Sequence, residues 1–134
     1  MILRSYEINK INLSTNKQIL LYGKNEGLKN EALNILIKDK KNISNYDEKE
    51  ILDNENNFIE SILSKSLFEQ QKFIVIRRVT DKFLRIIEIL YFKNIDEITI
   101  ILNSDNLEKK SKLRSYFEKD KKLVCWIWKK QSFV

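Results

Sequence analysis

Histidine and proline are both absent from this chain of 134 residues, and cysteine and methionine occur once each. Without histidine, a Ser-His-Asp arrangement has no base and a zinc site loses its commonest nitrogen ligand, so no metal site is expected. The lone Cys125 excludes an internal disulfide framework. It stands in the apolar run LVCWIW with no neighbouring base, which reads as a packed core thiol rather than a nucleophile. No run approaches the ~18 apolar residues that suggest a membrane-spanning helix, and the first residues lack an apolar stretch with a small-residue cleavage site. These absences lead to the expectation of a cytoplasmic protein without a membrane partner.

What is present points to a folded domain. Hydrophobic residues make up 43% of the chain and charged residues 33%, with two tryptophans, seven phenylalanines and five tyrosines. A chain of this length buries roughly two thirds of its unfolded surface around one core, so residues 1–134 are read as a single domain. The net charge of +6 permits a nucleic-acid partner but does not point to one. Much of the bias toward Lys, Ile and Asn is of the kind an AT-rich coding sequence yields, and the lysines are interspersed with acids, as in NLEKKSKLRSYFEKDKK.

The order of patterns along the chain alternates. KQILLYG is a short apolar run that closes on Gly23, and from Gly27 the residues Leu28, Ala32, Ile35 and Leu36 recur at helical spacing. NISNYD is a weak strand pattern, and residues 54–68 place Phe58, Ile59, Ile62 and Leu63 on one helical face. KFIVIRRV is rich in β-branched residues without alternation, as in a strand buried on both faces. A helix over TDKFLRIIEILYF, a strand over EITIIL, an amphipathic helix beginning near Lys109 and a strand over LVCWIW complete the order. This predicts an α/β fold with a parallel five-stranded sheet flanked by helices.

A strand, loop and helix at the start of such a fold is where a phosphate loop belongs. Against G-x-x-x-x-G-K-[ST], Gly23 matches the first glycine and Lys29 the lysine. The second glycine falls on Leu28, Gly27 is one residue early, and the magnesium-binding hydroxyl falls on Asn30. A leucine obstructs the close approach of a phosphate to backbone amides. The strand that should end in carboxylates to hold magnesium ends instead in Arg77 and Arg78. Gly23, Gly27 and Lys29 therefore read as a degenerate phosphate loop, with no cofactor and no catalytic residues expected.

The order LLYGKNEGLKNEAL, SLFEQQKFIVIRRV, ITIILNSDNLEKKSKLRSYFEK and LVCW resembles the N-terminal domain of the delta subunit of bacterial DNA polymerase III, a clamp-loader subunit. The resemblance covers nearly the whole chain. It implies an AAA+-like, P-loop-like first domain with a degenerate nucleotide site, lacking the lid and collar domains through which the family meets other clamp-loader subunits. The function it implies is mechanical: binding and helping to open the ring-shaped sliding clamp (the beta subunit) during DNA replication, with primed DNA met only in the full complex.

In the family, an element just before the third strand inserts apolar side chains into a pocket on the clamp. Here that element maps onto SKSLFEQQ, with Leu67 and Phe68 as the inserted pair. An aliphatic-aromatic pair suits such anchoring. Some members carry an apolar wedge two residues before the leucine, and this chain has Lys65 there, whose aliphatic stem is the only apolar part it offers. Arg77, Arg78 and Lys112 are candidate contacts to another subunit or to DNA. Lys109, Lys110, Lys112 and Arg114 also fit a solvated helix face, and Ser111 fits a helix-stabilising role. Two alternatives stand beside this reading: a divergent nucleotide-binding domain using Gly23, Gly27 and Lys29, and a basic nucleic-acid-binding α/β domain.

Overall fold

The computed structural model describes residues 1–65, 71–93, 95–120 and 123–127. Leu67, Phe68 and Trp128 lie outside the described residues, as does the side chain of Lys65. The strands are β1 (Ile2–Arg4), β2 (Gln18–Tyr22), β3 (Ile43–Asp47), β4 (Lys72–Arg77), β5 (Ile98–Ser104) and β6 (Val124–Ile127). The helices are α1 (Glu26–Ile37), α2 (Glu48–Leu52), α3 (Glu55–Lys65), α4 (Leu84–Phe92) and α5 (Lys112–Lys119). The six strands form one sheet in the order β1-β6-β2-β5-β4-β3, and every neighbouring pair is parallel.

The expected parallel α/β architecture is present, with one strand more than the five expected. The addition is β1, which pairs Leu3 with Trp126 on the outer side of β6. Three residues at an edge, of which only Leu3 is buried, carry too little alternation to announce a strand. The weakly patterned NISNYD forms β3, the opposite edge, and none of its five residues is fully buried.

Alternate residues along the central strands supply two cores. Leu20, Ile74, Ile76, Ile100, Leu102 and Cys125 face Phe58 and Ile62 of α3, Ile86, Ile87 and Leu90 of α4, and Leu113 and Phe117 of α5. Ile19, Leu21, Val75, Ile101, Val124 and Trp126 face Ala32, Leu33 and Leu36 of α1. Burial on both faces explains why β2, β4 and β5 read as continuous apolar runs. Cys125 is a free, buried thiol, pushed up to about 12 by desolvation, in keeping with a core role. In α1 the buried stripe runs through Lys29, Ala32, Leu33 and Leu36, so Ile35, expected on that face, is 55% exposed.

The last helix begins at Lys112 rather than at Lys109. Ser111 is its N-cap, and its Oγ accepts from the Arg114 amide at 3.2 Å. That hydroxyl donates to Asp81 Oδ1 at 2.5 Å, and Asp81 also accepts the Leu113 and Lys112 amides at 3.2 and 3.3 Å. One carboxylate thus fastens the start of α5 to the loop after β4, where the helix's free amides favour negative charge. Desolvation pulls the Asp81 pKa upward, but the Ser111 hydroxyl and the two amides outweigh it, and the net direction is down. A depressed carboxyl contributes stability above its unfolded pKa and loses it as pH falls through the folded value. Asp81→Ala is expected to cost about 1 kcal/mol at neutral pH. The gap from wild type should narrow below about pH 4, as read from urea unfolding across that range; a gap independent of pH would show that the charge contributes nothing.

Candidate functional site at the carboxyl ends of the strands

In a parallel sheet all carboxyl ends open at one edge, and ligands of such folds bind there, at the point where the chain switches direction across the sheet. That point lies at β2, because the chain leaves it for the β5-β4-β3 side and returns to its other flank as β6. The loop after β2 is the candidate phosphate loop.

Gly23 leaves β2 with φ 139°, a conformation that side-chain-bearing residues avoid. Its amide donates to the Asp105 carbonyl at 3.4 Å. Asn25 then caps α1, its Oδ1 accepting from the Leu28 amide at 3.0 Å. The helix therefore begins at Glu26, and only Gly23, Lys24 and Asn25 separate it from β2. Gly27, expected in the loop, belongs to the first turn of the helix. A Cβ added there would meet Asn25 Oδ1 at 3.5 Å, an ordinary contact, so the backbone does not require glycine.

Lys29 is fully buried. Its Nζ donates to the Ser104 carbonyl at the end of β5 and to Glu26 Oε1, both at 2.6 Å. The ammonium is thus spent on the sheet and on a carboxylate one turn back along its own helix. Glu26 also puts negative charge in the first turn of α1, where the helix terminus would otherwise favour an anion. The Asn25 cap, the Glu26 carboxylate and the Ser104 carbonyl together occupy the groups a phosphate would use.

Beside Lys29 and Glu26 is an open cavity of about 350 Å3, lined by Glu26, Asp47, Arg77, Arg78, Ser104 and Asp105 among others. Its cations are engaged within the chain. Arg78, at φ 57°, gives Asp47 two hydrogen bonds, Nε to Oδ1 at 3.2 Å and Nη2 to Oδ2 at 2.6 Å. That guanidinium holds the Asp47 carboxyl below the usual carboxylate range. Arg77 Nη1 donates to Asn30 Oδ1 at 3.3 Å. Asn30 is the residue that stands where a phosphate loop carries its magnesium-binding hydroxyl.

The fold thus gathers Gly23, Lys29, Arg77 and Arg78 at the carboxyl end of the strands, and the exposed Lys112 begins α5 at the same end, on the face opposite α1. Lys109 and Lys110 are exposed. Arg114 departs from the solvated face expected of it: it is half-buried, donates to Glu118 at 2.6 Å and to the Leu107 carbonyl at 2.9 Å, and lies 5.3 Å from the Tyr22 ring centre. Lys65 is the last residue of α3. That helix leads toward the amino ends of the strands, away from the phosphate-loop edge. Sequence reading missed the partners, Glu26 for Lys29 and Asp47 for Arg78. The first had a signal in the Glu26-x-x-Lys29 spacing, whereas the second spans two strands. No protein-family model matches the chain, and no curated protein matches it either.

Two substitutions in the first turns of α1 should move stability in opposite directions. Lys29→Met leaves the Ser104 carbonyl without a partner and is expected to cost about 2 kcal/mol. Gly27→Ala removes chain entropy from the unfolded state and is expected to stabilise by about 0.5 kcal/mol. Urea midpoints at constant slope measure both; a neutral Lys29→Met together with a damaging Gly27→Ala would contradict the closed loop.

Proposed function

We propose that this domain is the clamp-binding first domain of a clamp-loader subunit of the delta type, a binding module without ATPase chemistry. In this reading the sheet from β2 to β6 is an AAA+-like, P-loop-like core, with β1 added at its edge. The observation that carries the non-catalytic half of the proposal is the internal engagement of Lys29, which fills the nucleotide position with the chain's own groups. The clamp half rests on the sequence resemblance, above all on SKSLFEQQ, which begins in the last two residues of α3 and ends just before β4. Leu67 and Phe68 are the pair that enters the clamp pocket, and Lys65 contributes its aliphatic stem rather than an apolar wedge.

The domain acts in DNA replication in the cytoplasm, as part of a polymerase III clamp-loading assembly. It meets primed DNA only in the full complex, through domains that bring the other subunits together. The nucleotide-binding alternative has less support, since Lys29 and the helix terminus are both occupied. The nucleic-acid alternative keeps the net charge of +6 and the exposed lysines, but Arg77 and Arg78 are tied to Asn30 and Asp47.

Calorimetric titration with the sliding clamp of the same organism is expected to show saturable binding. Leu67→Ala/Phe68→Ala, checked for folding by circular dichroism, should weaken it about a hundredfold, as removal of interface anchors does. Binding unchanged by the double substitution, or absent from the folded wild type, would overturn the assignment. A separate thermal-shift titration with magnesium-ATP should leave the midpoint unmoved; a saturable, magnesium-dependent rise would restore the nucleotide reading.

A further inference from the structure

The α-ammonium of Met1 donates to three backbone carbonyls, those of Phe117 at 3.1 Å, Asp120 at 2.7 Å and Leu123 at 2.8 Å. Phe117 lies in the last turn of α5, Asp120 is the C-cap of that helix, and Leu123 is the residue before β6. The Met1 carbonyl in turn accepts from the Cys125 amide at 2.8 Å.

These contacts are of two kinds. The bonds with Leu123 and Cys125 are the ladder that any backbone amide would make, since β1 runs parallel to β6 with Ile2 opposite Cys125. The bonds to Phe117 and Asp120 need two further N–H groups, which only an unacylated terminal nitrogen has. Both carbonyls belong to a helix end, where the last carbonyls have no intrahelical partner and positive charge is favoured. Asp120 leaves α5 in an extended conformation, so the left-handed turn that commonly satisfies such carbonyls does not form. The ammonium takes its place. Burial pulls the pKa of this amine below its ordinary value, against the opposite pull of Cys125, Asp120 and Glu118.

We propose that the α-amino group of Met1 is a modification-sensitive site: the carbonyls of Phe117 and Asp120 receive a free α-ammonium, and an acyl group on that nitrogen, formyl or acetyl, releases the end of α5 while leaving the β1–β6 ladder in place. Acylation by an activated ester or thioester forms an N–C bond at Met1; one proton leaves with the alcohol or thiol, one goes to solvent, and the charge is lost. The single N–H that remains is taken by Leu123. The inference does not depend on the clamp-loader reading.

The whole chain with a free Met1 amine is to be compared with the same chain acetylated at Met1, at about pH 6, below the range in which α-amino groups ordinarily titrate. Acetylation is expected to raise the unfolding equilibrium constant about tenfold, as loss of charge-assisted hydrogen bonds does, read from urea midpoints. The carbonyl NMR shifts of Phe117 and Asp120 should move, while that of Leu123 and the exchange protection of the Cys125 amide should stay as they are. Should the acetylated chain fail to fold, the unmodified chain decides alone: a brief pulse of acylating reagent is expected to label its Met1 amine about tenfold more slowly in the folded state than in urea. Equal stability of the two chains, unmoved carbonyl shifts at Phe117 and Asp120, loss of protection at Cys125 on acetylation, or labelling of the folded chain at the rate seen in urea would each overturn the proposal.

Discussion

A parallel sheet covered by helices on both faces leaves only its two ends for polar groups, and at the carboxyl end the backbone carbonyls of the last residues need donors. Ser104 ends the central strand β5, flanked by β2 and β4, where solvent does not reach. The ammonium of Lys29 supplies the donor. That hydrogen bond ties the first turn of α1 to the sheet, and with it the positions of Asn25, Glu26 and the short turn at Gly23. A lysine is well suited to the task, because a compact ammonium on a long stem reaches the carbonyl while its methylenes pack among apolar neighbours.

Burying a charge without compensation would be unfavourable by several kcal/mol, and the chain provides the compensation locally. Glu26 is one helical turn away, and its side chain is 59% exposed. One partner is therefore desolvated and the other stays hydrated, a less costly arrangement than burying both. In a phosphate loop the compensating negative charge comes from the nucleotide. Here it is covalently part of the helix, so the ammonium is neutralised whether or not anything is bound, and an incoming phosphate would have to displace a carboxylate already in place.

The architecture was legible in the sequence to the extent that burial imposed a period on it. KFIVIRRV and EITIIL are strands because both of their faces are covered, and the apolar residues of α3 and α4 recur at helical spacing because one face of each is. Elsewhere elements were missed or shifted: β1 has one buried residue, and the start of α5 moved three residues because its boundary is set by Ser111 and Asp81, thirty positions apart. The order of strand, short turn and helix around Gly23 was read correctly, since β2 is followed by α1. The partner of Lys29 at the sheet was not readable, since Ser104 enters through its backbone carbonyl, which no side-chain pattern encodes. The same holds for the α-ammonium of Met1, whose acceptors are backbone carbonyls.

Closing the carboxyl edge changes which positions the fold must protect. A loop that cradles phosphate constrains several backbone conformations at once, whereas this one constrains Gly23, which alone in the turn adopts a positive φ. Beyond that, Lys29 is paired with Glu26 and Arg78 with Asp47. Arg77 donates to a neutral amide, that of Asn30, and Lys112 is exposed, so positive charge remains at this end. Apolar side chains are exposed at Ile2, Tyr6 and Ile35, and also at the amino ends of the strands. Phe92, at the end of α4, is 88% exposed there. Single exposed rings are common on protein surfaces, so this one by itself assigns no partner to the amino end.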